Sequence, residues 1–466
     1  MQTRQHLGSV RLAVLLMALY AMVACGGYGN NTTNVTPTGQ PGSTIGGGAV
    51  TMAAVHFSDS PSDRVVSFEL TISSITLTAS DGSTVTLLST PRRVEVTHVS
   101  GTTEPLALPS IPQGTYNSAT VVVSAPDVVF IDNSGHEIEK KDGTLTKTIN
   151  IALNPALVVG ATPVVLTIDF DARASITIDP VSGNVTVNPL ANLIRNNLPQ
   201  QQNEQEAEDG EFEHVVGQVT ASSANSFSIT TSAGVSLTFS TTAATSFEGA
   251  AGAAALTVNA LVRVEGRTQS DGALFAKEVE VLSANGMEAE GLITATTGNP
   301  VTSLTMVVQD LSGGGMTANN LGSTVTVSIS NRTRFRVDSG KVDLSGLNLP
   351  AFSASSLSRG QRVEAESDVA VSNNTINAES IKLQQQALVG AVSAVNGSQF
   401  TLTVPDDSAF KLLTGVNTVR VISQSNTELK NGATITAGSI VKVRGLVFFE
   451  PAQGWFTMVA GRITTP

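Results

Sequence analysis

The sequence predicts an all-β chain: an N-terminal antiparallel β-sandwich followed by three small OB-like β-barrel repeats. Three observations predict it. Apolar and polar residues alternate over short runs bounded by turn residues, the period of half-buried strands. One pattern recurs three times in the C-terminal half. The composition is that of a folded but weakly charged chain, with 41% hydrophobic and 14% charged residues, against the ~25% charged that is usual. At 466 residues the chain is too long for one ordinary domain. Its net charge of -12 speaks against a nucleic-acid or anionic-lipid binder, which needs a basic face. A single Cys excludes an internal disulfide framework and a multi-Cys metal site.

The N-terminus carries a leader. Arg4 and Arg11 precede an uninterrupted apolar run from Leu12 to Ala24, which is short for a bilayer span and suits a signal peptide over residues 1–24. The run ends in Met22-Val23-Ala24-Cys25-Gly26. Small residues before a Cys resemble the lipobox of bacterial lipoproteins, with Met22 in place of the usual Leu. The resemblance implies cleavage after Ala24 and lipid attachment at Cys25, which becomes the mature N-terminus. Two or three acyl chains anchor stably where one alone is marginal. Gly26, rather than Asp, favours outer-membrane sorting by analogy with diderm bacteria. Residues 25–48, rich in Gly, Asn, Thr and Pro, read as a flexible tether. No later segment has the ~18 consecutive apolar residues of a membrane span.

Residues 49–198 read as the sandwich. Phe68, Leu70 and Ile72 alternate with Glu69 and Thr71, and the phase shifts across Ser73-Ser74 to Ile75 and Leu77, which predicts a β-bulge. Asp81-Gly82 marks a hairpin turn before Val85 to Leu87. Further strands are expected at 94–96, 119–123, 128–131, 149–153, 164–170, 174–178 and 185–187, and a short helix at Leu190 to Leu198. Phe57-Ser58-Asp59-Ser60-Pro61, the strand Ser67 to Ile72, and Ile111-Pro112-Gln113-Gly114-Thr115-Tyr116 together resemble the bacterial lipoprotein family called domain of unknown function 4382. That resemblance implies a secreted, membrane-anchored sandwich and brings no activity. Residues 199–213, with the run Gln200-Gln201-Gln202 and six acids, read as a solvated linker.

The repeats occupy 214–284, 285–384 and 385–466. Gly217-Gln218-Val219-Thr220-Ala221 aligns with Gly291-Leu292-Ile293-Thr294-Ala295 and Gly390-Ala391-Val392-Ser393-Ala394. Each repeat later carries a Thr with an apolar residue two positions on: Thr245 and Phe247, Thr333 and Phe335, Thr427 and Leu429. Closing strands follow from Asn259 to Gly266, Gly360 to Ser367 and Gly438 to Gly445, each before a last strand. Five strands per unit suit a small closed barrel. The pattern resembles domain of unknown function 5666. The second copy departs from it at Ala365 and Ser367 and in a Gly-rich insertion from Gln309 to Gly322, so its barrel is expected to close less tightly.

Chemical constellations are sparse. Asp59 and Asp63, with His56 nearby, offer Ca²⁺ oxygens, but Asp-Ser-Pro is ordinary turn chemistry, and the turn is the preferred reading. His56 is expected to face solvent. Asp169 and Asp171 lie on one strand face, the pairing used by glycosidases, yet only 4% of residues are aromatic and no sugar cleft is evident. Gly313-Gly314-Gly315 lacks the Gly-Lys-Ser/Thr of a P-loop, and no serine-nucleophile elbow stands out. The five His show no metal-ligand spacing. No catalytic residue, metal or cofactor is therefore assigned, and Cys25 is the one site residue. Phe227, Phe275, Phe400 and Phe456 read as barrel core, which leaves OB-like barrels without the exposed aromatics that stack bases. The expected function is that of a non-enzymatic, lipid-anchored envelope protein of β-domains in series. It meets the membrane through its lipid and binds a glycan or an envelope protein, or acts as a spacer, with no nucleic-acid partner. An envelope polysaccharide-acting enzyme and OB-type nucleic-acid binding are the alternatives.

Overall fold

The computed structural model describes residues 49–60, 64–99, 102–179, 184–196, 211–231, 234–282, 286–313, 320–340, 342–430 and 433–465. The leader, Cys25 and the tether lie outside them. The sandwich has two main sheets, with the small antiparallel pair Ile176–Ile178 and Val185–Val187 beside them. In the first, Val50–Ser60 lies between Val164–Asp171 and Glu104–Ala107, and Ala191–Asn196 forms one edge. In the second, the long strands Val65–Ala79 and Gly114–Ile131 pair along their length, and each takes two shorter partners on its other side. Phe57, Phe68, Tyr116 and Phe170 fill the core between the sheets. The Tyr116 hydroxyl donates to the Pro112 carbonyl at 2.7 Å, which closes the turn that the Ile111-Pro112 motif announces.

Several expectations are met in detail. The register shifts between Ile72 and Ser74, where the phase change places a bulge. Gly82 takes φ +84 in the turn joining Val65–Ala79 to Thr84–Leu88. Two are corrected. Residues 191–196 form a strand, not a helix, because they pair antiparallel with Val164–Asp171 and so find backbone partners in a sheet edge. The sandwich is also not purely antiparallel. Val50–Ser60 runs parallel to Val164–Asp171, an arrangement that needs the long crossover lying between them.

Each repeat is built on one plan. The first barrel orders its strands Ser236–Ser240, Ser226–Thr231, Glu211–Ser222, Leu261–Thr268 and Leu274–Val281, and a parallel pairing of the first with the last closes the circle. Glu211 to Glu213, the end of the acidic run, thus belong to a strand. The third barrel closes fully through Gln385–Asn396, Gln399–Thr403, Thr418–Lys430, Trp455–Thr464 and Ile440–Glu450. In the second barrel the last strand is split into Thr375–Asn377 and Ser380–Leu383, which pair with different neighbours.

A physical reason for the split is at hand. In the first and third barrels Gly266 and Gly445 sit at a register shift where a Cβ would overlap a carbonyl oxygen of the last strand. Ser367 occupies this position in the second barrel, and pairing between its fourth and last strands ends at Glu366.

The modules share cores. Leu446, Phe448 and Val459 of the third barrel join the core cluster of the second. Val66, Val129 and Ile131 of the sandwich pack with Val307 of the second barrel and Ala409 and Leu413 of the third. The expected picture of domains strung in series therefore gives way to modules packed on one another.

Candidate functional site

Period-two alternation puts Met287 and Ala289 into the second barrel's core and Glu288 and Glu290 on its outer face. The same alternation sends Val363 and Ala365 inward and Arg362, Glu364 and Glu366 outward. In a lone barrel these charges would be solvated. Here the first barrel and the sandwich cover them, and an ionic seam results.

One end of the seam joins the first two barrels. Arg263, from the strand Leu261–Thr268, is 5% exposed and pairs with Glu280 of its own barrel. It also meets Glu288 at 3.1 Å and Glu364 at 2.8 Å in the second barrel. Lys382 adds contacts to Glu364 at 3.2 Å and Glu366 at 3.6 Å. Burial raises Glu288 well above the usual carboxylate range, with Arg263 opposing and Glu364 and Glu280 reinforcing. Glu366 is raised by burial and by Glu364. A cavity of about 390 Å³ opens beside these groups, lined among others by Glu280, Glu288, Glu366 and Ser312.

The other end joins the second barrel to the sandwich. Arg362 pairs with Glu290 and donates to the His98 carbonyl at 3.1 Å. The His98 ring lies 3.1 Å from Glu95 and 3.2 Å from Glu104. Burial works against the charged imidazole, but the hydrogen bonds it donates to Glu104 and Glu95 outweigh it and lift His98 well above its ordinary value. Burial likewise opposes the Glu95 carboxylate. Bonds from His98, Thr97 and the Phe68 amide nonetheless hold it below the usual range. Burial pushes Glu290 up to about 7 and Asp310 to about 6. The third barrel is tied in by amides: Gln361 donates to Val447 at 2.9 Å, and Gln386 both accepts from the Arg362 amide and donates to Gly360.

The residues singled out from the sequence have other roles. His56 does not face solvent. It is 1% exposed because Thr268 of the first barrel covers it, and its ring lies 3.2 Å from Thr103 and 3.0 Å from Thr268. Burial lowers its pKa to about 4, so it is a neutral joint between sandwich and barrel. Asp59 is 3% exposed and accepts from the Ala172 amide at 3.1 Å, and burial raises it well above the usual range. Asp63 lies outside the described residues, as do Gly314 and Gly315. Asp169 accepts from Ser58 at 2.7 Å, while Asp171 caps the helix Ala172–Ser175. The two carboxylates thus serve separate structural bonds and line none of the cavities described above. Phe227, Phe400 and Phe456 are core, as expected. Phe275 is not: it lies half-buried on the outer face, with the Arg267 guanidinium 5.2 Å above its ring. Sequence reasoning missed the seam, although its signal was the alternation of like charges at 288 and 290 and at 364 and 366.

Fold and seam together define the class: an all-β protein of OB-like barrels consolidated on a sandwich. The chain belongs to the family described as Domain of unknown function (DUF5666), whose model matches residues 216–280, 290–382 and 389–463, half of its length. Residues 51–189 match Domain of unknown function (DUF4382). No curated protein matches. Among solved structures, the chain is similar at 11% identity to a multidomain protein with nucleic acid binding domains from Streptococcus pneumoniae. That likeness covers 53% of this chain and 72% of that one, with a TM-score of 0.12. It is similar at 11% identity to Drosophila Unr CSD456, over 55% of this chain and 98% of that one, with a TM-score of 0.13.

Proposed function

We propose that the chain is a non-enzymatic cell-envelope lipoprotein, anchored through Cys25 to the outer membrane, whose packed β-modules present one rigid binding surface to a glycan or an envelope protein. The observation that carries the rigid-surface reading is the seam, in which charged groups of three modules pair with one another out of solvent. Buried pairs of this kind fix one arrangement, since removing either partner strands a buried charge. The lone cysteine at the end of the leader supports the anchor. The separate structural duties of Asp169 and Asp171 speak against the polysaccharide-acting enzyme, and the burial of Phe227, Phe400 and Phe456 and the net charge of -12 against nucleic acid.

Two measurements test the reading. Cys25→Ser is expected to move the protein from the membrane fraction to the soluble fraction; retention in the membrane removes the lipid anchor. The unlipidated chain, residues 26–466, is expected to bind saturably to a glycan array or to isolated envelope fractions. Turnover of envelope polysaccharide by the same preparation would replace the binding role with an enzymatic one.

A further inference from the structure

We propose that the junction of the first and second barrels is a divalent-cation site of the Ca²⁺ class, with oxygen ligands from Glu280, Glu288, Glu366 and Ser312. Carboxylate oxygens of the three glutamates lie within 4.8 Å of one another. All three side chains line the cavity of about 390 Å³, which has room for the waters that a hard cation retains.

Acidic side chains gather on many surfaces without binding metal, so the argument needs an independent pointer. Ser312 supplies it. It is 6% exposed, its hydroxyl has no hydrogen-bond partner among the described residues, and it lines the same cavity. A buried hydroxyl left unmatched is unfavourable, so such a group signals a missing ligand. Strand register explains the placement. Ser312 and Glu366 each stand directly opposite Glu288, on its two flanking strands, so all three project from one face. Glu280 reaches them from the last strand of the first barrel.

Charge points the same way. Glu280, Glu288, Glu364 and Glu366 share two interior cations, Arg263 and Lys382. The cluster carries an excess of two negative charges when ionised, which one divalent ion offsets. Arg263 engages one oxygen each of Glu280 and Glu288, and each carboxylate has a second oxygen. The donor set holds oxygen and neither nitrogen nor sulfur, which selects Ca²⁺, Mg²⁺ or Mn²⁺ over Zn²⁺ or Cu²⁺. The roomy, irregular cavity favours Ca²⁺ over Mg²⁺, which demands a tight octahedron.

The test is calorimetric titration of Ca²⁺ into the chelator-treated chain, residues 26–466, with Mg²⁺ in parallel. One ion per chain is expected, with Kd on the order of 10⁻⁵ to 10⁻³ M. At 100-fold excess over Kd, Tm is expected to rise by roughly 3 °C. Glu366→Gln should abolish both effects, and Ser312→Ala should weaken binding with the fold unchanged by circular dichroism. Glu288→Gln is a third arm; should it fail to fold, the other two decide. No saturable binding of either ion up to 10 mM overturns the site. So does binding that survives Glu366→Gln and Ser312→Ala unchanged, since the ion would then lie elsewhere, for instance on the acidic run before residue 211.

Discussion

His56 shows how a neighbour inverts the reading of a single residue. Its strand alternates, so the sequence assigns it to solvent, and on an isolated sandwich that would hold. The first barrel brings Thr268 over it from 212 positions away in sequence, and no local pattern encodes such a contact. The consequence is a pH dependence with a definite sign. The folded value of about 4 lies below the ordinary 6.5. Between these two values the unfolded chain binds more protons, so stability contributed by His56 is present above 6.5 and is lost as pH falls towards 4. The loss is about 3 kcal/mol for this group. Denaturant unfolding of wild type and His56→Gln at several pH values should give curves that converge on acidification across that window. A constant offset from pH 7 to pH 4 would show that His56 does not stay neutral in the folded protein. Elsewhere the repeat pattern marked single residues whose reason the structure supplies. Gly360 and Gly438 are φ-positive glycines before the fourth strands of their barrels, and Asn259, at the same place in the first, is the residue type that best tolerates such a φ.

At the scale of the strand, the repeat is held by a threonine that the sequence alignment marks without explaining. The hydroxyls of Thr245, Thr333 and Thr427 donate to the carbonyls of Ala276, Ala378 and Ala460, at 2.8, 2.7 and 2.7 Å. Ala276 and Ala460 lie in the last strands, and Ala378 in the break of the second barrel's split last strand. Each also accepts a backbone amide three residues earlier, from Thr242, Ser330 and Gln424. One side chain thereby fastens the segment beyond or within the third strand's end to the last-strand region of each barrel. Thr333→Val keeps the shape and removes both bonds, leaving a buried carbonyl unmet. It should lower stability by about 1–3 kcal/mol in denaturant titration; a change within error would make the bond incidental. The apolar partner two residues on is less uniform: Phe247 and Phe335 tuck against their cores, whereas Leu429 is exposed. Strand positions, bulges and hairpin turns were readable because they obey local rules of phase and φ. The first strands show a register shift at the same place in all three barrels, two residues beyond Gly217, Gly291 and Gly390. The strand at 191–196 was misread because its only determinant is a distant partner edge.

For the whole molecule, the outer faces of the barrels matter as much as their cores. Reading alternation on one barrel at a time sends Glu288, Glu290, Arg362 and Glu364 to water and yields independent beads. Packing turns these faces inward, and the seam lies where sequence reasoning assumed solvent. Shared cores and buried pairs bind the fate of one module to the next, so unfolding should be cooperative across the sandwich and barrels. Gly390→Val is the sharpest probe. A Cβ at this position would lie 2.5 Å from the Thr403 carbonyl oxygen, so the second strand of the third barrel must move. Independent beads predict that the variant melts its third barrel early and leaves the other transitions in place. The packed structure predicts instead one calorimetric transition shifted to lower temperature as a whole. The second and third barrels have a common cluster through Leu446, Phe448 and Val459, and the third barrel's Ala409 and Leu413 buttress the sandwich. Overpacking of this kind is unfavourable by about 1–3 kcal/mol, and in a cooperative unit that penalty falls on every module. Two resolved transitions, with only the first displaced, would return the barrels to independence and confine the seam to a contact without energetic coupling.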